Sequence, residues 1–141
     1  MRSNLGLNVS MENESKDRSA DCVACKAHCC RHVALEIDRP TCKRDYDNIR
    51  WYLLHRDVRI FVDHENTWNI EFRAVCENLA KDYSCTDYVN RPRICRRYPG
   101  KNAYCEYETD ESAYKEVFAT CEAFEAYLEN KKIDWRFRNL K

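Results

Sequence analysis

Cys22-Val-Ala-Cys25-Lys-Ala-His28-Cys29-Cys30 places four of the chain's ten cysteines within nine residues. A second series, Cys76, Cys85, Cys95 and Cys105, follows at intervals of nine or ten residues. Two clusters so far apart in sequence imply a fold that brings them together. In a reducing compartment the strongest physical reason to do so is a bound metal ion. Ten thiols allow five disulfides in principle, but Met1 to Ala20 holds no apolar core followed by a small-residue cleavage site. The expectation is therefore a cytoplasmic chain, where disulfides rarely persist, with its cysteines used as thiolate ligands.

The spacing Cys22-x2-Cys25 lets two thiolates reach one ion. In a helix, Cys22, Cys25 and Cys29 share a face, and Cys30 points about 100° away from Cys29. In an extended segment Cys29 and Cys30 point to opposite faces. Neither geometry lets both chelate a single ion easily. The pair suits two neighbouring ions, or one ion with Cys30 left over. His28 and His32 are candidate replacement ligands, read as surface histidines because cysteines already suffice.

Around this stretch the composition sets limits. The 141 residues make one domain, and 24 basic against 24 acidic side chains leave no global attraction for polyanions. Only Gly6 and Gly100 are glycines, which favours helix over turn-rich β structure. No apolar run reaches the length a transmembrane helix needs. Residues 1–20 are polar and aperiodic and read as a disordered leader. Residues 21–130 form the cysteine-cluster domain, and 131–141 a fraying C-terminal tail.

Along the chain, Val33, Leu35 and Ile37 alternate with polar or small residues and predict a short strand. Arg39-Pro40 ends it. Thr41 is the expected N-cap of a helix over 42–55, with Tyr46, Ile49, Tyr52 and Leu53 on one face. Cys42, apart from both series, reads as a non-ligand. Val58, Ile60 and Val62, then Trp68, Ile70 and Phe72, alternate around His64-Glu65-Asn66-Thr67 and predict an antiparallel hairpin with His64 in its solvated turn. The segment 76–105 reads as loops too long to fold without a tether. Tyr114, Val117, Phe118, Cys121, Phe124 and Leu128 read as one helical stripe, capped by Thr109 or Asp110, bent near 119 where Thr120 caps a second helix. Cys121 on that stripe reads as a buried apolar thiol. The fold class is α+β: a small metal-stabilised domain with helices, one β-hairpin and long cysteine-bearing loops.

Taken together, Cys22-x2-Cys25-x3-Cys29-Cys30-Arg31, Cys76-x-x-Leu79, Cys85-Thr-Asp-Tyr88 and Arg91-Pro92-x-x-Cys95-Arg96 resemble the CxxCxxxCC cysteine-cluster family (YkgJ-like zinc- or iron-chelating domains). With Pro40-Thr41, Trp51-Tyr-Leu-Leu54 and Cys105-Glu-Tyr107 the resemblance covers about 21–130. It implies eight metal ligands: Cys22, Cys25, Cys29, Cys30, Cys76, Cys85, Cys95 and Cys105. Cys42 has no counterpart. A flagellin lysine N-methylase carries a similar arrangement, but this chain is shorter than a whole methylase calls for, and that activity is not carried over.

Eight thiolates allow two four-cysteine sites or one binuclear cluster. Zn²⁺ is the expected ion for closed thiolate sites, with iron or an iron–sulfur cluster as the alternative. A site with four thiolates carries a formal charge of about −2. Arg91, Arg93, Arg96, Arg97 and Lys101 around Cys95, with Lys26 and Arg31 beside the first cluster, then read as neutralising cations rather than a nucleic-acid patch. No phosphate loop, nucleophile elbow or His-Glu-x-x-His is present. Asp45, Asp47, Arg50 and His55 read as surface polar residues. The expected function is zinc binding, with a mainly structural metal, in an accessory or metal-handling module. The alternative is an iron-dependent redox or modifying enzyme component. The expected partners are a metal ion and a protein, with nucleic acid disfavoured and no membrane.

Overall fold

The computed structural model describes residues 26–97 and 114–138. The leader, Cys22, Cys25, Lys101, Cys105, Thr109 and Asp110 lie outside them. The architecture is α+β. Strands β1 (His32–Ile37), β2 (Val58–Asp63), β3 (Trp68–Arg73) and β4 (Tyr114–Phe118) form one antiparallel sheet in the order β1-β3-β2-β4. Helices α1 (Lys43–Leu53) and α3 (Cys121–Asn130) lie on one face of it, and a short helix α2 (Arg93–Arg97) sits in the cysteine-bearing loops. No helix among the described residues is long and apolar enough to cross a membrane.

The predicted hairpin forms because its two runs alternate in phase. Ile60, Val62, Trp68 and Ile70 all turn to one face and are buried there. The turn is held by Asp63, whose carboxylate accepts from the Glu65 and Thr67 amides at 2.9 Å each. Ile49 and Leu53 of α1 and Phe124 and Leu128 of α3 complete the core with Phe118.

Three expectations are corrected. Residues 114–118 form a strand, not the start of the terminal helix. Tyr114, Val117 and Phe118 fit either period over so short a span, and the open edge of β2 decides, pairing Ile60 with Phe118 and Phe61 with Val117. The helix begins at Cys121, where the Thr120 hydroxyl accepts from the Ala123 amide at 3.1 Å. At α1 the N-cap is Cys42 rather than Thr41, and its side chain makes no capping bond. Thr41 instead donates its amide and hydroxyl to the Asp45 carboxylate, at 3.0 and 3.3 Å. Beyond Asn130 the chain does not fray at once. Ile133 returns its amide to the Leu128 carbonyl at 3.0 Å, and Trp135 is buried in the core, its indole N–H donating to Glu129 at 3.2 Å. The Arg50 and Arg136 guanidiniums lie 4.5 and 4.3 Å from its ring centroid.

Trp135→Ala should therefore cost roughly 3–5 kcal/mol in urea unfolding, the range for emptying a buried aromatic site; a frayed tail would lose almost nothing. Arg50 also donates to Glu125 at 2.8 Å, and this bond holds the Glu125 carboxyl below the usual carboxylate range. Its stabilisation is present above the unfolded carboxyl's pKa and is lost as pH falls through the lower folded value. Glu125→Gln should lower stability by up to about 1 kcal/mol at neutral pH. The gap between variant and wild type should close in acid, as read by urea titrations at both pH values.

Candidate metal centre

The sheet register explains why distant cysteines meet. In the β1–β3 pair His32 lies opposite Arg73, so the chain entering β1 and the chain leaving β3 share one end of the sheet. The pairing continues past the strands. The Ala74 amide donates to the Arg31 carbonyl at 3.0 Å, and the Cys76 amide to the Cys30 carbonyl at 2.7 Å. One end of the sheet thus presents Cys29 and Cys30 from a 3-10 turn (His28–Cys30) beside Cys76.

The loops beyond fold back on themselves. Leu79 bridges to Cys85, and Asn78 accepts at its carbonyl from the Thr86 amide at 2.8 Å. Cys95 lies in α2, its amide bonded to the Pro92 carbonyl at 3.0 Å. The arginines of this segment tie backbone: the Arg91 guanidinium stacks 3.5 Å from the Tyr88 ring centroid, and Arg96 donates to the carbonyls of Arg91 and Val89.

Around Cys30 these pieces converge. Burial pushes its thiol above the ordinary cysteine value. A hydrogen bond with Cys29 pulls it down, while charge on Cys76, Cys95 and Cys85 pushes it up further. Five of the eight candidate ligands, Cys29, Cys30, Cys76, Cys85 and Cys95, are among the described residues, and backbone pairing sets Cys76 beside Cys30. None of the described cysteines is in a disulfide. Cys22, Cys25 and Cys105 lie outside the described residues. The two cysteines read as bystanders stand elsewhere. Cys42 caps α1, and Cys121 is a core thiol 3.5 Å from Glu125 Oε1, raised first by burial and then by that bond.

Entry to the turn is strained. Lys26 and Ala27 are both left-handed, at φ 58° and 51°, although neither is glycine. Such residues cost about 1–3 kcal/mol each and persist where the surroundings over-determine them. Ala27 is fully buried.

The histidines are not solvated surface residues. His28 and His32 stack with ring centroids 4.0 Å apart and planes 19° off parallel. Their Nε2 atoms stand 4.0 and 3.8 Å from Glu71 Oε1. Glu71 is almost fully buried on the face away from the helices, and Arg59, opposite it on β2, donates to the same oxygen at 2.6 Å. The spacing His28-x3-His32 was visible in the sequence. That Glu71 faces it depends on strand pairing.

The donor chemistry fits a thiophilic cation: the described cysteines are unbridged, and Cys29, Cys30, Cys76, Cys85 and Cys95 come from the 3-10 turn, the loops after β3, and α2. The one group of three or more ligand atoms within 4.8 Å of one another among the described residues is His28, His32 and Glu71. No three of the described thiols lie that close together. Comparison with protein-family models, with curated proteins and with solved structures finds no match for this chain.

Proposed function

We propose that the chain is a metal-binding module in which thiolates from both cysteine series hold zinc, and that the metal mainly serves to fix the loops that carry them. One observation carries the reading: the Cys76 amide donates to the Cys30 carbonyl at 2.7 Å, so the two cysteine series meet at one end of the sheet. A second supports it. Among the described residues, none of the apolar core side chains lies between Phe72 and Phe118. Val75, Val89 and Ile94 in that segment are exposed at 60%, 76% and 74%. The loops over 74–97 therefore lack the apolar burial that holds the rest of the fold, and a closed thiolate site would contribute on the order of 10 kcal/mol in its place.

Zn²⁺ is redox-inert, so the metal would act through shape, in an accessory or metal-handling part. Binding requires deprotonated sulfur, so metal affinity should fall as pH falls. The test is elemental analysis of protein purified without oxygen, together with its visible spectrum. We expect a colourless protein with stoichiometric zinc. Cys30→Ser and Cys76→Ser should each lose at least one equivalent, and Cys42→Ser none. A coloured, iron-loaded protein would replace zinc by an iron–sulfur centre. Metal-free protein with intact fold would end the reading.

A further inference from the structure

We propose that His28 Nε2, His32 Nε2 and Glu71 form a second cation site, separate from the thiolates, for one divalent transition metal with an open coordination position. The argument begins with a tautomer. His32 Nδ1 lies 3.2 Å from the His28 carbonyl oxygen. A carbonyl only accepts, so Nδ1 carries the proton, and in the neutral ring Nε2 presents a lone pair. This is the arrangement that orients a ligating histidine. That nitrogen lies 3.8 Å from another electron-rich atom, Glu71 Oε1. The gap is too wide for a hydrogen bond. Two ligands on one zinc, each at about 2.1 Å, sit about 3.4 Å apart in tetrahedral geometry. Closing 3.8 and 4.0 Å to that spacing needs shifts of roughly half an ångström, and the two rings must also turn out of their stack so that both lone pairs meet at one ion.

The backbone brings the three donor residues together, their ligand atoms within 4.8 Å of one another. His28 and His32 lie one turn apart across the 3-10 segment, and their rings are stacked. Ala34 is directly opposite Glu71, so His32, two residues earlier in β1, is its diagonal neighbour on the same face. All three side chains are at most one-fifth exposed.

Arg59 decides which metals fit. Its guanidinium donates to Glu71 Oε1 at 2.6 Å, which fixes the carboxylate and cancels its charge. Hard cations that rely on net negative charge and oxygen ligands, such as Ca²⁺ and Mg²⁺, gain little here. Two imidazoles favour Zn²⁺ or Fe²⁺. With three protein donors, a fourth position stays free for water or another ligand, unlike a closed thiolate site. Because of Arg59 the site binds more weakly than four thiolates, and its ion should leave on dialysis while thiolate-held metal remains.

The experiment uses the full chain, purified without oxygen, dialysed, analysed for retained metal and titrated calorimetrically with ZnCl₂. We expect one further equivalent to bind. His28→Ala/His32→Ala should weaken that step by at least about tenfold and leave the dialysis-stable metal unchanged. The wild type carries its own control: of its four histidines, only His28 and His32 should shift their ring-nitrogen resonances at saturating zinc, with His55 and His64 still. An identical isotherm in the double variant would overturn the site. So would unmoved His28 and His32 resonances in the wild type, which decide the question even if the variant fails to fold. Absence of dialysis-stable metal would count against the thiolate reading alone.

Discussion

The antiparallel register of β1 against β3 is the constraint on which the rest depends. It sets His32 against Arg73 and continues outward through Ala74 to Arg31 and Cys76 to Cys30. An antiparallel pair necessarily places the start of one strand beside the end of the other. Here the start of β1 is preceded by one cysteine cluster, and the end of β3 is followed by the other. The sheet by itself brings Cys76 beside Cys30, and the loops that follow β3 place Cys85 and Cys95.

The same sheet divides labour between its faces. One face carries Ile60, Val62, Trp68, Ile70 and Phe118 against α1 and α3, and supplies the apolar burial that stabilises the domain. The other carries Glu71, a carboxylate 3% exposed. Burying such a charge costs several kcal/mol unless it is paired. Arg59 pairs with it directly, and the two histidines close over it. Removing Arg59 would leave the charge uncompensated. The Glu71 side chain thereby joins β3 to Arg59 of β2 and to the histidines at the start of β1.

Much of the fold was legible where periodicity is unambiguous. The alternation of Val58, Ile60 and Val62 and of Trp68, Ile70 and Phe72 gave the hairpin, and Ile49 and Leu53 gave the buried face of α1. Tyr114 to Phe118 was misread because five residues with three large apolar side chains satisfy both a helix and a strand, and the deciding partner, β2, is more than fifty residues away. Trp135 was missed for a related reason: a lone aromatic after a helix carries no period. The site divides likewise. The cysteine clusters announce themselves by spacing, but Glu71 is one polar position in an alternating strand. Its burial, and the histidines above it, follow only from which strands pair.

Extended X-ray absorption at the edge of the metal retained after dialysis tests the central claim most directly. Ligation by the converged cysteines predicts a first shell dominated by sulfur, near 2.3 Å for zinc. A shell of nitrogen and oxygen alone, near 2.0–2.1 Å, would contradict it, because the sheet would then have assembled the thiols around no ion.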